Sequence, residues 1–248
     1  MKQYLNLAYQ VLTEGENEDN RTGIRTTSIF GSQMRFDISN GKLALVTTKK
    51  LHLKSIVHEL LWMISGDTNT KYLKDNGVRI WDEWADAEGN LGPVYGAQWR
   101  NWLVTRKHGM GFSTYGVDQL ANVVEKLKTD PTDRRLIVSA WNVAALEDMA
   151  LPPCHMMFQL KSKPAKTEGG KRRLSLQIYQ RSVDVFLGLP FNLAFYSLLT
   201  HLIAAQTDHE ADELIHIGGD VHIYENHEDQ IQTQLERKVM DCVPRVVL

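Results

Sequence analysis

The 248-residue chain carries 43% hydrophobic residues and a formal net charge of -2, enough apolar content for one large buried core and too little basic excess for a general nucleic-acid binder. No apolar run approaches the roughly 18 residues of a membrane span, and Met1-Lys2-Gln3-Tyr4-Leu5 opens a polar-interrupted helix rather than a signal peptide. Cys154 and Cys242, its two cysteines, offer no disulfide framework and suit a reducing cytosol, so a soluble cytoplasmic protein is expected.

Leu5, Ala8, Val11 and Leu12 form one stripe over residues 1–13 and Gly15 supplies a stop, which predicts a helix. Phe30, Met34 and Phe36 alternate with polar residues over 26–36, the period of a strand. A second, well-buried helix is expected over 53–64 from Ile56, Val57, Leu60, Leu61 and Ile64, with Gly66 behind it. The cluster Gly109-Met110-Gly111 with Gly116 lacks GxGxxG spacing and follows no expected strand, so it reads as a turn rather than a phosphate loop. Val117, Leu120, Val123, Val124 and Leu127 mark another helix, ended near Pro131. Strands are expected over 136–141, 155–160 and 174–180, with the Lys-rich stretch 161–173 and its Gly169-Gly170 as an exposed hairpin turn. Residues 191–206 are apolar almost all round, the pattern of a core helix. A strand over 214–224 and a short amphipathic helix from Asn226 follow. Helices and strands mix without a regular βαβ rhythm, which favours a single α+β domain over a doubly wound sheet.

Some chemistries are poorly supported. His222 and His227 form no HExxH pair and neither cysteine belongs to a CxxC pair, so no metal is expected. His155 follows Cys154 directly; if both lie on a strand they point to opposite faces, which argues against a papain-like thiol hydrolase. A single cysteine is by default a buried, inert thiol. Four arginines change that expectation: Arg21 in a polar loop, Arg134 and Arg135 after the turn opened by Pro131, and Arg181 at a strand end. Each alone reads as a solvated surface residue. Guanidinium groups nevertheless suit phosphate through their planar fork, and cations nearby favour a thiolate. Downstream of Cys154, residues 180–192 supply a cation (Arg181), a hydroxyl (Ser182), a carboxylate (Asp184) and an amide (Asn192) at fixed spacing. Such groups can hold a nucleotide phosphate and read a pyrimidine ring while a thiolate attacks it.

Several longer segments carry a family resemblance: Asn20-Arg21-Thr22-Gly23, Gly31-Ser32-Gln33-Met34-Arg35-Phe36, His58-Glu59-Leu60-Leu61-Trp62, Trp81-Asp82-Glu83-Trp84 and Gly92-Pro93-Val94-Tyr95-Gly96. Asp133-Arg134-Arg135, Pro153-Cys154-His155, the segment 180–192 and Gly219-Asp220-Val221-His222-Ile223-Tyr224 extend it to about residue 245. In this order they resemble the thymidylate synthase family, bacterial or phage type. The resemblance implies a large mixed β-sheet flanked by helices, the fold shared with dCMP hydroxymethylases, whose sheets stack across a homodimer.

It also implies a reaction: dUMP is reductively methylated to dTMP with 5,10-methylenetetrahydrofolate, which leaves as dihydrofolate. Cys154 would be the nucleophile that adds to C6 of the uracil ring. Glu59 would relay protons through water with Tyr95 and His155; in an apolar helix an unpaired carboxylate would be expensive. Arg21, Arg181 and Ser182 would grip the phosphate, joined by Arg134 and Arg135 of the other subunit. His222 and Tyr224, alternating on one strand face, would hold the sugar 3′-hydroxyl. Asn192 would read the base, since its amide can accept from N3–H and donate to O4; a lone Asn at a helix start is otherwise more often a cap. Asp184 would hydrogen-bond the pterin ring, with Trp81, Trp84, Leu187, Gly188 and Phe191 around the folate. Without the family, Trp81, Trp84, Leu187 and Phe191 read as core. His52 and Lys49 match positions near the folate's glutamate tail.

Two departures stand out. Gly41-Lys42-Leu43-Ala44-Leu45 lacks the family's aromatic-proline pattern. The family also continues past the position of Leu248 into a tail that closes over the folate. A chain without that lid would admit water and could give a hydroxymethyl product, so a dUMP hydroxymethylase is the alternative. A catalytically silent member that binds RNA or a partner protein is a third reading, which the intact catalytic set opposes. Neither nucleic acid nor a membrane is required.

Overall fold

The computed structural model describes residues 1–240 and 243–247, so Cys242 lies outside the described residues. The chain opens with α1 (Lys2–Glu14), β1 (Glu16–Glu18), β2 (Thr26–Asp37), α2 (Leu53–Ser65) and α3 (Lys71–Asp75). Then come α4 (Tyr95–Asn101), β3 (Trp102–His108), β4 (Gly111–Val117), α5 (Gln119–Thr129) and β5 (Ile137–Ser139). A 3₁₀ turn at Val143–Asp148 precedes β6 (His155–Lys163), β7 (Arg172–Asp184), α6 (Gly188–Gln206) and β8 (His209–Tyr224). A second 3₁₀ turn, Glu225–His227, leads into α7 (Glu228–Glu236). The class is α+β, as expected.

Two compact units divide the chain: Met1–Leu51 with Leu160–Leu248, and His52–Gln159. The first is built on a mixed sheet in which β1, β2, β8 and β7 are successive neighbours, with β6 beyond β7. β2 runs antiparallel to β8, whereas β7 and β8 are parallel from Arg172↔His209 to Asp184↔His222. Parallel neighbours need a crossover, and α6 supplies it. That helix starts three residues before the expected position and reaches 19 residues with a mean hydropathy of 1.3. By length and composition it could therefore span a membrane, contrary to the sequence reading. Two-thirds of it is buried inside the protein, where Leu189, Leu193, Phe195, Tyr196, Leu199 and Ile203 form core.

α1 packs on this unit through Tyr4, Leu7, Ala8 and Val11, a stripe turned slightly from the expected one, with Leu5 and Leu12 at its margins. Tyr4 is fully buried, and its hydroxyl donates to the Val185 carbonyl at 3.0 Å. The helix ends at Gly15, which is extended with a φ of -73° and a ψ of 153°, and no larger residue fits there because a Cβ would collide with the Val11 carbonyl and lie 2.7 Å from Thr27 Cγ2. Met34 and Phe36 are buried, but Phe30 is 88% exposed. Gly31, with a φ of 89°, separates Phe30 from them and breaks the simple alternation that predicted all three on one face.

In the second unit α2 ends at Gly66, whose left-handed φ of 81° suits a residue without Cβ. Ile56, Leu60, Trp62 and Met63 are buried, while Val57 and Leu61 face solvent, so this helix is two-sided rather than wholly buried. β5 is shorter than expected and pairs with β6 through Ser139↔Met157 and Ile137↔Gln159. The turn at Gly109 proves to be the tip of a two-stranded hairpin, β3 with β4, which claims Val117 from the expected helix. Its strand residues face solvent almost throughout, so no apolar alternation marked it.

Gly15→Ala should lower the unfolding free energy by about 1–3 kcal/mol, read as a shift of the urea midpoint with an unchanged slope.

Candidate active site

Cys154, Tyr95, His155 and Glu59 lie in the second unit. Cys154 lies just before β6, so it and His155 are not paired neighbours within one strand. Its thiol is in no disulfide and the residue is half-buried. The Cys154 backbone N–H donates to the Tyr95 hydroxyl at 2.8 Å, and the His155 ring stacks on the Tyr95 ring at 4.3 Å. Tyr95 opens α4 directly after Gly92-Pro93-Val94 and is 2% exposed. Burial first, and then the neighbouring Cys154, holds its hydroxyl well above the ordinary tyrosine range. It therefore stays protonated, accepting from the Cys154 backbone and keeping its own proton to donate.

Behind Tyr95 stands an aromatic cluster. Trp81 meets Tyr95 edge-on at 5.9 Å and Trp84 at 5.8 Å. Its indole Nε1–H donates to Glu59 Oε1 at 2.9 Å, which gives a carboxylate in an apolar helix the partner it requires. Glu59 as a residue is half-buried, but its carboxyl is enclosed, and that burial pushes it up to about 7, against a smaller downward pull from the Trp81 hydrogen bond. Trp81 is buried as core, whereas Trp84 is 37% exposed. His52 precedes α2, exposed, with its ring nitrogen Nδ1 2.6 Å from Ser55 Oγ. Arg134 and Arg135 are both exposed, and the Arg135 fork grips Asp133 at 3.0 and 3.1 Å.

The first unit holds the other set. β7 extends past the expected end at 180 to Asp184, so Arg181 lies within the strand and is half-buried. The parallel register sets Ser182 beside Asp220 and Asp184 beside His222. His222 Nδ1 lies 2.7 Å from Asp220 Oδ1, and its ring meets Tyr224 edge-on at 5.2 Å. Burial first and the Asp184 charge next raise the Tyr224 hydroxyl, while Arg21 and then Thr22 pull the other way. Arg21, Asp184, His222 and Tyr224 thus share one neighbourhood. Asp184 Oδ1 accepts from the backbone of Phe186 and Leu187 at 2.9 and 2.8 Å, shaping the entry to α6. Its Oδ2 is not engaged by that turn. Leu187 is 49% exposed, Phe191 half-buried, and Gly188 begins the helix. Because α6 starts at Gly188, Asn192 sits in its second turn rather than at a cap position. The Lys49 ammonium donates to the Phe186 carbonyl and lies 3.7 Å over that ring.

Sequence reasoning assigned no role to Gln180 or His216, which are 2% and 1% exposed. Gln180 Nε2 donates to Asn192 Oδ1 at 3.1 Å, and His216 Nε2 lies 3.0 Å from Gln180 Oε1. Both strands carry many other polar residues, Gln177 and Arg181 beside Gln180, Asp220 and His222 beyond His216, so no local pattern singled this pair out. No cluster of three or more His, Cys, Asp or Glu able to hold a metal occurs among the described residues.

Glu59 titrates near 4.5 in an unfolded chain and near 7 in the folded one. Its contribution to stability is therefore complete below about 4.5 and is lost as pH rises to about 7, by at most about 3 kcal/mol. Glu59→Gln should remove that slope, seen as a difference between wild-type and variant urea denaturation across this window.

Over residues 2–248 the chain matches the family model described as Thymidylate synthase, and it belongs to that family of methyltransferase-type enzymes.

Proposed function

We propose that the chain is a thymidylate synthase, converting dUMP to dTMP with 5,10-methylenetetrahydrofolate as one-carbon and hydride donor. The observation that carries this reading is Cys154 anchored by Tyr95, with an enclosed carboxyl, Glu59, brought near neutrality in the same unit. On this reading the whole chain is one catalytic domain.

The Cys154 sulfur adds to C6 of the uracil ring, and the displaced electron pair moves through C5 to O4. Asn192 accepts from N3–H and donates to O4, so its amide stabilises the charge developing on that oxygen. Glu59, with Tyr95 and His155, exchanges protons with the ring through water, which a carboxyl near 7 can do in either direction at neutral pH. Arg21, Arg181 and Ser182 hold the phosphate, and His222 and Tyr224 the sugar hydroxyl. The residues present fit a reduced folate: Asp184 Oδ2 can accept from pterin N–H groups, while Leu187, Phe191, Gly188, Trp84 and Trp81 offer apolar walls. His52 would meet its glutamate tail. Bound folate supplies the carbon and finally a hydride.

A homodimer is part of the proposal, with Arg134 and Arg135 reaching the partner's phosphate site; Arg135 must then share its fork with Asp133. The 88% exposure of Phe30 on β2 supports burial of that sheet face between two copies. Phe30→Asp should shift the sedimenting mass toward the monomer. The proposed location is cytoplasmic, as is general for the family.

Incubated with dUMP and methylenetetrahydrofolate, the protein should generate dihydrofolate absorbance. Cys154→Ala should abolish it, and Glu59→Gln should lower kcat by roughly 10²–10⁴. A hydroxymethyl nucleotide with tetrahydrofolate would replace this reading with the hydroxymethylase one.

A further inference from the structure

We propose that His216, acting through Gln180, fixes which way the Asn192 amide faces and so selects uracil over cytosine; this rests on the reading of Asn192 as the base-recognising residue. The proton positions follow from one unambiguous acceptor. The Ser182 carbonyl lies 3.0 Å from a terminal atom of Gln180, which must be the donor Nε2. The same Nε2 meets Asn192 at 3.1 Å, so the Asn192 atom there is Oδ1. Gln180 Oε1 is then the atom 3.0 Å from His216 Nε2. An amide oxygen only accepts, so His216 carries its proton on Nε2.

The arrangement has no good alternative. Reversing Gln180 would set two oxygens together at Ser182 and two N–H groups together at His216, in a site closed to water. His216 could relieve the second clash only by moving its proton to Nδ1, which has no partner among the described residues. Burial also pushes its imidazole down to about 4, so it stays neutral. Both strands hold the geometry: Gln180 pairs with Gly218 across the β7–β8 ladder, and His216 is two residues along β8.

With Oδ1 tied to Gln180, the Asn192 amide retains one acceptor site on Oδ1 and the protons of Nδ2. That pattern accepts from N3–H and donates to O4 of uracil. Turned over, the amide would donate to a bare N3 and accept from an exocyclic amine, the cytosine pattern. His216 is a positioning residue, since it acts only through Gln180.

Calorimetric Kd values for dUMP and dCMP should show that His216→Leu narrows the preference for dUMP by roughly tenfold or more. His216→Gln, which keeps a donor, should restore the wild-type ratio. A folded His216→Leu protein with an unchanged ratio would overturn the proposal. The ¹⁵N spectrum of the wild-type histidines at neutral pH supplies an independent readout. It should show His216 neutral with its proton on Nε2; an Nδ1–H tautomer or an imidazolium overturns the relay even if the variants do not fold. If the wild-type protein shows no preference for dUMP, the reading of Asn192 fails instead, and the relay is judged on that spectrum alone.

Discussion

The hydrogen bond from Trp81 to Glu59 is the contact on which the proposed chemistry of the second unit depends. A buried carboxyl held by one indole N–H is neither locked as an anion nor forced neutral, and it comes to rest at about 7. Stronger hydrogen bonding would return it to the ordinary carboxylate range, where it would be a poor acid at neutral pH. Full burial without Trp81 would push it further up and leave a poor supply of base. The same indole also packs against Tyr95, whose hydroxyl anchors the Cys154 backbone. One side chain therefore holds the Glu59 carboxyl and packs on the ring that anchors the Cys154 backbone.

The first unit solves a different problem, which is to aim fixed donors and acceptors from a rigid sheet. Parallel pairing of β7 and β8 puts Ser182, Asp184, Asp220 and His222 in adjacent register at the strand ends. The crossover helix α6 begins immediately afterwards, shaped by Asp184 through two backbone N–H groups. Asn192 is thereby carried on a buried helix rather than a loop, and its amide is tied to a buried glutamine. Donors and acceptors mounted on regular elements lose little freedom when a ligand binds, which favours specificity in the proposed role.

Much of this was legible in the sequence, for stated physical reasons. Apolar periodicity located α1, α2, α5 and α6 because each buries a stripe or a whole surface. Long motifs around Cys154, Asn192 and His222 supplied the candidate site residues through family resemblance. What periodicity missed has little apolar signal. The β3–β4 hairpin is exposed on nearly every residue, α3 is five residues long, and α4 is seven. Phe30 was misplaced because a left-handed Gly31 intervenes, and α6 was placed three residues late because Gly188-Leu189-Pro190 does not look helical until Pro190 is recognised as a first-turn residue. The partners of Glu59 and Asn192, Trp81 and Gln180, are 22 and 12 residues distant in the chain, and no local pattern pairs them.

The central claim is that the Cys154 sulfur becomes bonded to C6 of a uracil ring. Incubation with 5-fluoro-dUMP and methylenetetrahydrofolate, followed by digestion and mass spectrometry, tests it directly, because fluorine at C5 cannot leave as a proton does. The account predicts a stable adduct of nucleotide and folate on the peptide containing Cys154. An unmodified Cys154 peptide under saturating ligands, or an adduct on another residue, would contradict it.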